Sequence, residues 1–163
     1  MATAATPSTP DFKPAFTRVQ QSNDFDDAFA CVAILTGKTL DEVRKVAIEK
    51  LKHPKHGPYQ ITDAFLNKLL GLFDLISTDY KPLRDGIAQL APDVAILWIG
   101  CDPANENVGR HVVFHRARTT NGAVEYVIDP AYWVTDPAMQ IRTDLKALGA
   151  SWWIGVHSAH PGK

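Results

Sequence analysis

The side chains with chemistry to offer are sparse, and most have an ordinary reading first. Cys31 sits inside the apolar run 28–35, where a free thiol is a small core residue, and Cys101 stands in a loop with no motif around it. His53 and His56 form an H-P-K-H pair; the proline between them breaks regular ligand spacing and no cysteine pair accompanies them, so no metal site is expected there. His111 opens the β-branched stretch HVVFHRAR, and Asp129 closes the next such stretch, VEYVID, against Pro130. An imidazole and a carboxylate on consecutive strands can serve as base and orienting group, although a histidine at a strand start is commonly structural and an aspartate before proline commonly ends a strand at a turn. Asp27 follows Asp24 and Asp26 just ahead of the apolar run. Taken alone, such a carboxylate complements a helix dipole, worth ~0.3 to 1 kcal/mol. Gln21, in the polar lead-in, is by itself a solvated side chain.

These groups must be positioned by elements that the pattern makes legible. The lead-in offers Asn23, Asp24 and Asp26 as caps for a short, mostly buried helix over 28–35, and Gly37 can close it in the left-handed conformation. Thr39 and Glu42 make a capping box for a second helix, with Leu40, Val43, Val46, Ala47 and Leu51 on one face. Thr62 caps a third, whose Phe65, Leu66, Leu69 and Leu70 face inward until Gly71, and Pro82 predicts a short fourth helix carrying Leu83, Ile87 and Leu90. From Val94 onward VAILWIG, HVVFHRAR and AVEYVID read as antiparallel strands turning near Asn121 and Gly122; a helix is expected over 138–148 and a last strand at SWWIGVH. Trp152 and Trp153 would then point to opposite faces, one of them available as a contact surface. Helices first and strands mainly after predict an α+β domain.

Composition bounds the function. A chain of 163 residues can bury a core without disulfides or metal, and a net charge of -1 leaves no electrostatic footprint for nucleic acid or an anionic membrane. The expected organisation is a flexible arm over 1–14, rich in Ala, Thr and Pro, followed by one domain over 15–163. No secretion signal, membrane span or cofactor motif is read, so a cytoplasmic protein is the expectation.

The stretch from Gln20 to Gly37 and its continuation resemble the papain-like cysteine peptidases, in particular small bacterial and phage domains similar to the peptidases that trim double-glycine leaders. Their signature is a glutamine, five residues, and a cysteine opening a helix of small apolar residues that ends in Leu-x-Gly, with Leu/Tyr-x-Glu-Val soon after. Here Gln21, then Leu35-Thr36-Gly37 and Leu40-Asp41-Glu42-Val43, keep that spacing, but the position of the nucleophilic cysteine holds Asp27. The resemblance covers residues 20 to 129 and implies helices packed on an antiparallel sheet. It also implies that His111 is the base, Asp129 its orienter and Gln21 an oxyanion donor. For Asp129 to reach His111, strand parity requires a three-residue turn, Thr120 to Gly122, that sets Val113 opposite Asp129.

A carboxylate at position 27 is a weak nucleophile towards an amide, and beside His111 it should pair with the ring and leave no free base. The resemblance therefore implies a degenerate peptidase-fold module that binds a protein partner or serves in an assembly, in the cytoplasm or, if phage-derived, in a virion. The alternative is an active thiol hydrolase acting on peptide or amide bonds through Cys31. A metal held by Asp27, His111 and Asp129 is the minor reading, and no cofactor is implied.

Overall fold

The computed structural model describes residues 13–56, 61–100, 109–146 and 148–160. The expected arm falls almost wholly outside the described residues, as does Cys101. Three helices come first: α1 (Asp27–Thr36), α2 (Leu40–Leu51) and α3 (Asp63–Gly71). Their ends follow from local chemistry. Gly37 closes α1 at φ 71°, where a β carbon would be strained; Thr39 and Glu42 cap α2 reciprocally, and the Thr62 hydroxyl accepts the Phe65 N–H at the head of α3.

The strands are β1 (Leu75–Ser77), β2 (Lys81–Pro82), β3 (Val94–Ile99), β4 (Arg110–Thr119), β5 (Gly122–Ile128), β6 (Ile141–Arg142) and β7 (Ala150–Ser158), with a short helix α4 (Pro137–Gln140) before β6. They form one antiparallel sheet in the order β1-β7-β3-β4-β5-β6, with β2 also paired to β7. Thus β1 and β2 are two pieces of one edge, interrupted at Thr78 to Tyr80. The chain is α+β, with helices packed on an antiparallel sheet. No helix among the described residues is long and apolar enough to cross a membrane.

Three sequence expectations are corrected. The fourth helix is absent: Pro82 lies in edge strand β2, where its missing N–H costs no ladder bond, and only a single 3-10 turn, Ile87–Gln89, follows. The helix expected over 138–148 stops at Gln140, because Ile141 and Arg142 are drawn onto the open edge of β5 opposite Ile128 and Val127. Thr119 pairs with Gly122, so the hairpin loop has two residues, not three, and Val113 faces Ile128.

Strand alternation divides the buried side chains between two faces. Ile96, Val113, Ile128 and Ile154 meet the α1 residues Phe29, Val32 and Ala33 and the α3 residues Leu66, Leu69 and Leu70. Ala95, Leu97, Val112, Phe114 and Val127 form a second cluster on the other face, closed by Leu83, Ile87, Leu145, Leu148 and Trp153. Trp153 is accordingly the packed member of its pair and Trp152 the exposed one.

Candidate functional site

The first turn of α1 meets the start of β4. His111 belongs to the helix-facing side of the sheet and is buried, and the Asp27 carboxylate accepts from it twice: from the ring at Nδ1, 2.8 Å, and from the backbone N–H, 2.6 Å. A carboxylate only accepts, so the Nδ1 of His111 carries a proton. The other ring nitrogen, Nε2, is hydrogen-bonded to the hydroxyl of Tyr80, which sits where the β1–β2 edge is interrupted. Three elements, helix, central strand and edge strand, thereby hold a line of contacts from Asp27 through His111 to Tyr80. Burial alone would raise the Asp27 carboxyl, but the hydrogen bonds and charge of His111 outweigh it and bring it below the ordinary value of 3.8.

Trp98 packs edge-on against His111 with ring centres 4.5 Å apart. The backbone at Gly109 makes room for it: a β carbon there would lie 2.6 Å from the indole. Gly109→Ala should therefore displace the Trp98 ring from His111 and cost about 1 to 3 kcal/mol, read from the urea midpoint; unchanged stability would contradict the contact.

Asp129 does not orient the histidine. With Val113 opposite Ile128, Asp129 is one step further on and falls on the other face, where its carboxylate pairs with Arg110 and accepts the Ala131 N–H at 3.0 Å. Arg18 clamps the same corner, donating to the carbonyls of Asp129 at 2.6 Å and Ala131 at 2.7 Å. The register correction thus removes both the expected orienter and the metal set built on it. Among the described residues no group of three or more His, Cys, Asp or Glu side chains converges in a way that could hold a metal.

Gln21 is buried, not solvated. Its amide Nε2 donates to the Asn23 carbonyl at 2.8 Å, and Oε1 has no hydrogen-bond partner. One of its two amide hydrogens is thus used on the lead-in loop. Cys31 lies one turn into α1, fully buried in the main core. Burial and the neighbouring Asp27 and Asp129 carboxylates push its thiol well up, away from thiolate.

Two residues escaped the sequence reading. Asp26 was expected as a cap for α1, yet its side chain turns backward, accepting from Ser22 N at 3.1 Å, Ser22 Oγ at 2.5 Å and Asn23 N at 3.2 Å, while its carbonyl starts the helix. It shapes the loop that delivers Asp27. Tyr80 had no motif; its only signal was a tyrosine in the polar stretch STDYKP. A hollow of about 580 Å³, lined by Leu83, Ile87, Leu145 and Lys146 among others, adjoins the second cluster and is remote from Asp27 and His111.

No family model matches the chain, and no curated protein does so either.

Proposed function

We propose that this chain is a papain-like module that has lost thiol chemistry and acts by binding another protein, as a partner or as a component of an assembly such as a phage-derived one. One observation carries the reading: Asp27 meets His111 at 2.8 Å, at the junction of a helix N-terminus and a strand start where the resembled peptidases set a thiol against an imidazole. A carboxylate held by two donors is a poor nucleophile towards an amide. The nearest thiol in sequence, Cys31, is sealed in the core. A contact role is supported by Phe25, Tyr132 and Trp133, large exposed rings beside the lead-in to α1, with Tyr132 tied to Asp24 at 2.7 Å and Trp133 lying over Arg110.

The competing thiol hydrolase makes an opposite forecast for the wild-type chain. Under native conditions at neutral pH, Cys31 should stay unalkylated by iodoacetamide until the chain is unfolded, and peptide substrates should not be cleaved. Rapid native alkylation of Cys31 that disappears in His111→Ala would overturn the proposal.

A further inference from the structure

We propose that Tyr80 is a site of covalent acylation, an activated phenol that takes an acyl group from a neutral activated ester with His111 as its base. The inference stands on the contacts of Tyr80, His111 and Asp27 whatever the ancestry of the fold. Asp27 accepts from Nδ1 of His111, so in the neutral form of the ring the in-plane lone pair lies on Nε2. The Tyr80 hydroxyl is hydrogen-bonded there, with the two ring centres 6.1 Å apart and the ring planes 21° apart. A hydroxyl, an imidazole and a carboxylate in that sequence are the parts by which a weak nucleophile is activated.

The surroundings select the donor. Asp63 accepts the Tyr80 N–H at 3.1 Å, Asp79 precedes it in sequence, and Asp27 lies behind His111, so an anionic donor such as a phosphoryl group meets carboxylates on approach. On the helix-facing side of the sheet, Trp98 packs against His111, and the exposed Trp152 stands opposite Trp98 on the next strand and opposite Pro82 on the edge. These rings suit a neutral, aromatic ester. In the step itself the Tyr80 oxygen attacks the ester carbonyl while its proton passes to Nε2 of His111. The bond from the carbonyl carbon to the leaving aryloxide then breaks, giving the tyrosyl ester and a phenolate, and His111 releases its proton to solvent.

Two other tyrosines serve as internal controls. Tyr132 is exposed but its hydroxyl is bound to the Asp24 carboxylate, which pushes its pKa up. Tyr126 also meets a histidine, with its hydroxyl 2.8 Å from His115 Nδ1, but is fully buried. The test is to treat the folded full chain with 4-nitrophenyl acetate, follow 4-nitrophenolate release, and locate the acetyl group by tandem mass spectrometry. The expected result is a fast phase that places acetyl on Tyr80 at least about tenfold faster than on Tyr132. That phase should be lost in Tyr80→Phe and slowed about tenfold in His111→Gln. Because His111→Gln can unfold the chain, Asp27→Asn is measured beside it and should slow the phase while the fold is kept. Acetylation that simply follows exposure, with Tyr132 or surface lysines ahead of Tyr80, would overturn the proposal, as would a fast phase that survives Tyr80→Phe or is untouched by Asp27→Asn.

Discussion

Asp27→Ala should destabilise the chain by about 2 to 5 kcal/mol, because each buried donor left unsatisfied costs about 1 to 3 kcal/mol. The substitution leaves two donors of His111, the ring N–H and the backbone N–H, without an acceptor in a place that solvent barely reaches. It also releases the ring from the carboxylate that holds it and so loosens the contact with Tyr80. At roughly 2 to 4 °C per kcal/mol for a chain of this size, Tm should fall by about 10 °C. Asp27→Asn separates charge from shape: its amide oxygen can take the place of the carboxylate oxygen, and the loss should be only about 1 to 2 kcal/mol. The two variants should also differ from wild type in acid. The folded Asp27 carboxyl lies below the ordinary 3.8, so its contribution is complete above that value and disappears as the pH falls through the lower folded value. Urea midpoints measured from about pH 5 to pH 2.5 should show this loss in wild type and a flatter profile in both variants. Equal stability of wild type and Asp27→Ala would mean that the pair contributes nothing.

Asp26→Ala is the second large effect, and it acts through a different structure. The Asp26 carboxylate is completely buried and collects the Ser22 N–H, the Ser22 hydroxyl and the Asn23 N–H. Hydrogen bonds to a charged acceptor are worth about 1.5 to 3 kcal/mol each, but the exposed side of this loop regains water when they are lost, so a net cost of about 2 to 4 kcal/mol is expected. The damage should concentrate in the lead-in. Native-state hydrogen exchange at Ser22 and Asn23 should speed up far more than exchange in β3 or β4, while a merely global loss would raise all of them together. Asp26→Asn should recover part of the stability, because its amide oxygen can still accept one or two of the donors.

The parts of the fold written in local chemistry were legible. Gly37, the Thr39 and Glu42 box and Thr62 act within a few residues of themselves, and they end or start their helices as read. The central strands were equally plain from their β-branched runs. What failed was set by distant partners. Residues 141 and 142 carry a helical pattern, but β5 offers an unpaired edge and the strand bond wins. Pro82 suits a helix start as well as an edge, and the choice is made by β7, seventy residues away in sequence.

The site divides in the same way. Asp27 and His111 were brought together by a resemblance read from one helix and one strand, and the structure places them in contact. Asp129 was assigned through a turn length, and a single residue of register sends it to Arg110 instead. Tyr80 could not be found by spacing, since it reaches His111 only because a broken edge strand pairs with β7 and folds back over the helix-facing side of the sheet.

The central claim is that Asp27 stands where a papain-like enzyme holds its thiol. It is tested most directly by the alkylation rate of Asp27→Cys as a function of pH, with Cys31→Ala and Cys101→Ala in the background. If the site is of that kind, the introduced thiol, at a helix N-terminus and beside His111, should ionise well below an ordinary cysteine, about pH 3.5 to 7.5, and react with iodoacetamide at pH 6. That reactivity should vanish when His111→Ala is added. A thiol that titrates near the ordinary value of about 8.5, with or without His111, would contradict the account.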